Sequence, residues 1–174
     1  MTKEKDKFMM TDDELNAAIR MSSQTGFGPL SAEFLSKSLS ELKPKTPLCV
    51  SESSTLAEVI SLLQKYSVGS VLILNSESKV SGIFTERDCL LKVIGKIKDL
   101  STTSIGEVMT RNPETQKLDG TIAYALNLMS LGGFRHIPIV DDDGMPVGII
   151  SVKQVVDHLV GSLNQDLLDL TGEE

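Results

Sequence analysis

The sequence contains no tryptophan and only 4% aromatic residues, so its core has to be built from Leu, Ile, Val and Met. It has two cysteines, Cys49 and Cys89, outside any CxxC spacing, which excludes a disulfide framework and implies reduced, partly buried thiols. Its two histidines, His136 and His158, stand 22 residues apart with no metal-ligand spacing. No run of about 18 apolar residues exists, so no membrane insertion is expected. The start, MTKEKDKFMM, lacks the apolar stretch of a signal peptide, and a cytoplasmic location is the expectation. No GxSxG elbow or phosphate-binding P-loop is present. With no positioned nucleophile, base or metal, an enzyme is not expected, nor a catalytic cofactor.

Basic residues are the minority. A net charge of −7 argues against nucleic acid as a partner, because a phosphate-backbone binder needs a cationic footprint. It leaves room for a small anion held by a local pair of cations or a helix N-terminus. The acids gather at Asp141, Asp142 and Asp143, which read as a solvated turn, and at Asp166, Asp169, Glu173 and Glu174, which read as a frayed tail. The twelve-residue calcium-ligand pattern is absent.

What the sequence does contain is a repeat. Pro47 and Pro113, Thr55 and Thr121, Ile73 and Ile139, Gly82 and Gly148, and Gly95 and Gly161 are each 66 residues apart, with no gap between residues 39 and 161. One structural unit is used twice. Each copy is small for an independent core, so the two are expected to share apolar surface, with a ligand cleft between them. Within the first copy, a short strand is expected at Leu48–Val50 and a helix over Leu56–Tyr66 with Thr55 and Glu58 as a capping box. Strands at 70–74 and 80–84 form a hairpin, and Thr85 opens a helix through about Ile94. The second copy gives a helix at 121–131, strands at 136–140 and 146–150, and a last helix from Ser151 with Val155, Val156 and Leu159 inward.

Pro138 lacks a ladder donor and belongs at an edge or a bulge. Gly132 and Gly133 read as a helix C-cap. Upstream of the repeat, Thr11 and Glu14 form a capping-box signature for a helix over DDELNAAIRMSSQ, TGFGP breaks it, and Ser31 starts another turn through Phe34 and Leu35. The fold class is therefore α+β: two β-α-β-β-α units packed sheet to sheet around a pseudo-two-fold axis. The domain expectation is a helical extension at 1–35, repeats at 36–98 and 99–162, and an acidic tail at 163–174.

The chemistry concentrates where each hairpin meets its helix. The first copy reads Gly82-Ile83-Phe84-Thr85-Glu86-Arg87-Asp88, the second Gly148-Ile149-Ile150-Ser151-Val152-Lys153-Gln154. Both are explained as capping boxes. They also suit a ribose phosphate: Thr85 or Ser151 with backbone N–H groups meets the phosphate, and Asp88 accepts from a vicinal diol. Gln154 accepts without charge, so its diol bond would be weaker. Arg87, Lys153 and His158 read as surface residues.

These segments, with EVMTRNPETQKLDGTIAYAL and FRHIPIVDDDG, resemble a tandem pair of cystathionine-β-synthase (CBS) domains, a Bateman module, over residues 36–162. The resemblance implies an adenine nucleotide (AMP, ADP or ATP) or S-adenosylmethionine as regulatory ligand in clefts between the two units. It puts Thr85 on the phosphate and Asp88 on the ribose, and leaves the Ser151 site in doubt at Gln154. It also implies that Thr46 to Val50 and Asn112 to Gln116 line the base, and that Arg135 and His136 face phosphates. A homodimeric disc is the implied assembly, with a client enzyme or transporter as a further partner. A ligand-free dimerisation scaffold is the rival reading.

Overall fold

The computed structural model describes the backbone of residues 32–171 and side chains through Gly161. The Thr11 capping box and the helix expected after it lie outside the described residues. In chain order the elements are α1 (Ala32–Ser36), a 3-10 turn (Leu39–Leu42), β1 (Cys49–Ser51), α2 (Leu56–Tyr66), β2 (Ser70–Leu74), β3 (Val80–Thr85) and α3 (Glu86–Asp88). A π-helical turn (Cys89–Val93) and a 3-10 turn (Ile105–Glu107) follow. The chain then runs through β4 (Thr110–Arg111), α4 (Ile122–Gly132), β5 (His136–Val140), β6 (Pro146–Ser151) and α5 (Val152–Thr171).

Local chemistry sets the boundaries. Thr55 caps α2 with a reciprocal box: its Oγ1 accepts from Glu58 N–H and Glu58 Oε2 accepts from Thr55 N–H. Thr121 caps α4 by accepting from Tyr124 N–H. Gly133 ends α4 in the left-handed region at φ 67°, the C-cap read from the sequence. Its repeat equivalent, Ser67, ends α2 at φ 50° with a Cβ that this region penalises. Ser67→Gly is therefore expected to stabilise the fold by about 0.5–1 kcal/mol in denaturant unfolding. No gain would mean that the serine side chain offsets the strain.

The residues divide into two compact units, and neither coincides with a repeat. One comprises Lys45–Thr115 with Pro138–Ile149; the other comprises the described residues up to Pro44, with Gln116–Ile137 and Ile150 onward. In the first of these, Leu56, Val59 and Leu63 of α2 cover Val71 and Ile73 of β2 and Phe84 of β3, joined by Val93, Ile105 and Met109. Leu72, on the opposite face of β2, is also fully buried, so that strand is apolar on both sides. In the other unit, α1 and α5 lie against α4, and the first 3-10 turn lies against α5. Phe34, Leu39, Leu42, Ile122, Leu128, Ile137 and Val155 are buried there.

The sheets depart from two equal copies. A four-stranded sheet runs β1-β2-β3-β4, and β5-β6 stands as a two-stranded sheet. β4, the first strand of the second repeat, pairs antiparallel with β3 of the first, matching Gly82 with Arg111 and Ile83 with Thr110. A reciprocal bridge joins Lys45 of the first repeat to Ile149 of the second. The asymmetry has a local cause. In the first repeat Leu72 N–H donates to Leu48 O at 2.8 Å, tying β1 parallel to β2. The equivalent of Leu72 is Pro138, which has no N–H, so the bond that ties β1 to β2 at this position has no counterpart on β5.

Three expectations need correction. The helix after Thr85 is one α turn that passes into a π turn, not a continuous α-helix. Val156 is exposed rather than inward, whereas Val155 is buried. The acidic stretch after residue 162 continues α5 through Thr171 and is not a frayed tail up to that point. Cys49 on β1 is exposed, not partly buried as expected, and Cys89 is half-buried; desolvation pushes both thiols up.

Candidate functional site

Gly82 opens the first-repeat segment because Met109 lies across it; a Cβ there would collide with the Met109 thioether. Three residues on, β3 ends and Thr85 turns the chain. The Thr85 hydroxyl accepts from Asp88 N–H at 3.2 Å and donates to Asp88 Oδ2 at 2.8 Å. Thr85 N–H donates to the same oxygen at 3.0 Å. Glu86 N–H is held by Gly69 O at 3.2 Å. The Asp88 carboxylate is thus fixed in direction, with Oδ2 committed to its own turn.

The other oxygen faces outward. Asp88 Oδ1 accepts from Lys92 Nζ at 2.8 Å and from the Thr110 hydroxyl at 3.3 Å. Lys92 Nζ also donates to Thr110 Oγ1 at 2.9 Å, closing a three-membered cluster. Lys92 and Thr110 were not singled out in the sequence; the i,i+4 spacing of Asp88 and Lys92 was the available signal for the first. Thr110 comes from the second repeat, brought in by β4.

The second-repeat segment has the same backbone and a different outcome. Val152 N–H donates to Arg135 O at 3.0 Å, the counterpart of the Glu86–Gly69 bond, and Ser151 Oγ accepts from Gln154 N–H at 3.2 Å. The Gln154 amide then reaches into the first repeat. Its Nε2 donates to Leu42 O at 2.8 Å and Lys43 O at 2.9 Å, at the C-terminal end of a turn whose C-cap, Lys43, is left-handed at φ 50°. Two carbonyls facing one group require donors, which fixes the amide orientation. A carboxylate could not do this. Gln154 is therefore a backbone tie, where its counterpart Asp88 is a collector of donors.

The remaining candidates are dispersed. Thr46 is exposed in the loop after Lys45. Val50 packs against the α2–β2 core, so its side chain is largely spent on structure. Asn112 is left-handed at φ 47° and donates its N–H to Ser81 O at 3.0 Å, which places it beside β3. Gln116 lies over Gly120 in the other unit. Arg135 is exposed and His136 half-buried at the start of β5. His158 is not simply a surface residue: its ring lies 5.9 Å from that of buried Phe34. Lys153 pairs with Asp157 on the exposed face of α5. Among the described residues no group of His, Cys, Asp and Glu side chains could hold a metal, and no buried side-chain polar atom lacks a partner. No described helix is long and apolar enough to cross a membrane.

Known proteins share the repeat and the fold. The family model for the CBS domain matches residues 39–95 and again 105–161. An uncharacterised protein of Methanopyrus kandleri is 30% identical over 135 residues, covering 76% of this chain and 69% of its own. A CBS domain-containing protein of Arabidopsis thaliana is 34% identical over 68% of this chain, which spans only 22% of that longer protein. Among solved structures, a CBS domain crystal structure superimposes with a TM-score of 0.66 at 25% identity, covering 71% of this chain and 98% of its own. A CBS domain pair solved with 5′-methylthioadenosine and S-adenosyl-L-methionine gives a TM-score of 0.62 at 25% identity, covering 70% of this chain and 98% of its own. The chain belongs to the CBS-domain family, with two CBS domains in tandem.

Proposed function

We propose that this protein is a non-catalytic regulatory module that binds an adenine nucleotide (AMP, ADP or ATP) at the Thr85–Asp88 turn of the first repeat. The observation that carries the reading is the Asp88 carboxylate, fixed by Thr85 and directed by its Oδ1 toward Thr110 of the other repeat. A vicinal diol donates two hydrogen bonds, and a positioned carboxylate is their natural acceptor. Thr46, Val50 and Asn112 lie in the same unit as Asp88 and are the residues proposed to flank the base. In the second repeat, Arg135, His136 and Ser151 remain, with Gln116 on the preceding loop, but the diol acceptor is replaced by a committed amide. One ligand per chain follows. The CBS pair solved with two adenosine-based compounds supports the adenosine class and keeps S-adenosylmethionine as the alternative.

The signal is proposed to pass through a homodimer to a client enzyme or transporter. Leu90 and Ile94, on the turn after Asp88, are 63% exposed each, and their repeat equivalents Val156 and Val160 are 48% and 47% exposed. Exposed apolar pairs of this kind suit contact with another chain. The same residues would serve the scaffold reading if no ligand bound.

Calorimetric titration with AMP, ADP, ATP and S-adenosylmethionine, with sedimentation in parallel, tests the proposal. One ligand should bind per chain, and Asp88→Ala should weaken it by roughly 10- to 100-fold, the loss of charge-assisted hydrogen bonds. Asp88→Asn, which keeps the turn's size, should weaken it nearly as much. A dimer with no heat from any of the four would favour the scaffold.

A further inference from the structure

The Asp88 oxygen that a diol has to reach is already occupied. Oδ2 is held by Thr85, and Oδ1 carries the Lys92 ammonium and the Thr110 hydroxyl. Asp88 is 14% exposed and Lys92 37%, so the pair is partly solvated and the cation is its more exposed member. The second repeat has no counterpart: the equivalent of Asp88 is Gln154, bonded to backbone carbonyls, and that of Lys92 is His158, against Phe34.

A diol binding at Oδ1 must displace the ammonium or share the oxygen with it. Either way the cation loses part of its counter-charge. An uncharged nucleoside offers nothing in return, and a cationic one makes the imbalance worse. A ligand that carries its own phosphate restores it, because the Lys92 stem springs one turn from Asp88 and keeps the ammonium beside the bound sugar. We propose that Lys92 is a specificity-determining residue of the first-repeat site, selecting phosphorylated adenosine ligands over unphosphorylated ones. The inference rests on the nucleotide reading above and deepens it by naming the ligand class.

The test is a set of titrations with AMP and with adenosine on wild type, Lys92→Met and Lys92→Arg, each variant checked by thermal unfolding. Lys92→Gln replaces Lys92→Met if the latter does not fold. Wild type should prefer AMP. In Lys92→Met adenosine should tighten and AMP weaken, reducing the preference roughly fivefold or more, a modest effect because the pair is partly solvated. Lys92→Arg should retain the preference, and added salt should erode it in wild type but not in Lys92→Met. If both ligands bind and their ratio is the same in Lys92→Met as in wild type, the role assigned to Lys92 is wrong and the nucleotide site stands. If neither ligand binds any variant and ADP and ATP do not bind wild type, the nucleotide reading itself fails, and this inference with it.

Discussion

Leu72→Pro is expected to remove cooperative folding of the Lys45–Thr115 unit. Leu72 is fully buried in β2, which lies between β1 and β3, and its N–H donates to Leu48 O at 2.8 Å. Proline deletes that donor, leaves a carbonyl unpaired, and pushes its ring toward the neighbouring strand, at a cost of about 3 kcal/mol or more. Lost side-chain packing adds roughly 2 kcal/mol. Against a typical total of about 5–15 kcal/mol, this is a large fraction of all the stability a domain has. Leu72→Ala separates the terms, since it loses packing but keeps the N–H. Urea unfolding of the two variants should place the proline clearly below the alanine. Equal midpoints would mean that the β1–β2 bond contributes little, and that its absence at Pro138 weakens the second repeat's ladder little.

Gln154→Glu is expected to destabilise the other unit by on the order of 2–4 kcal/mol at neutral pH. It removes both donors to Leu42 O and Lys43 O and turns a negative oxygen toward two carbonyl dipoles. The effect should depend on pH in a definite direction. The carbonyls disfavour the charged form in the folded state only, so the introduced carboxyl would titrate above its ordinary value of about 4.3 when folded. The folded chain then binds more protons than the unfolded one between those two values, so the variant's stability relative to wild type falls as pH rises through that window. Below about 4.3 the protonated acid can donate one bond, and much of the loss should be recovered. Gln154→Ala loses the same bonds with no titration, so its deficit should stay flat. A deficit in Gln154→Glu that is flat with pH would mean that the side chain swings clear of the carbonyls.

Much of this arrangement was legible in the residues. Thr55 with Glu58 placed the start of α2, Gly133 the end of α4, and the paired Gly-Ile segments placed both hairpin-to-helix junctions. Pro138 announced a weakened ladder. The sequence did not disclose that β4 would join the first repeat's sheet, because a two-residue strand has no periodicity to read. Nor did it disclose the direction of the Gln154 amide. A glutamine after Ser151 reads as a weaker acceptor; only the positions of Leu42 and Lys43, more than a hundred residues earlier in the chain, turn it into a donor. The two residues now placed on Asp88 differ in the same way. Lys92 lay at a helical spacing that could be read, while Thr110 arrives by tertiary pairing alone.

The exchange of segments between the repeats also bears on how such a chain could arise. Along Gly82 and Ile83, β3 would expose unpaired N–H and C=O groups if β4 were not beside it. A protein made of one repeat would have had to borrow that strand from a second molecule. Joining two copies end to end turns the loan into an internal bond, so gene duplication here would have captured an association between chains within a single chain. It also made the halves interdependent: cut at the linker, each would be left with an open, adhesive margin that only the other half fits.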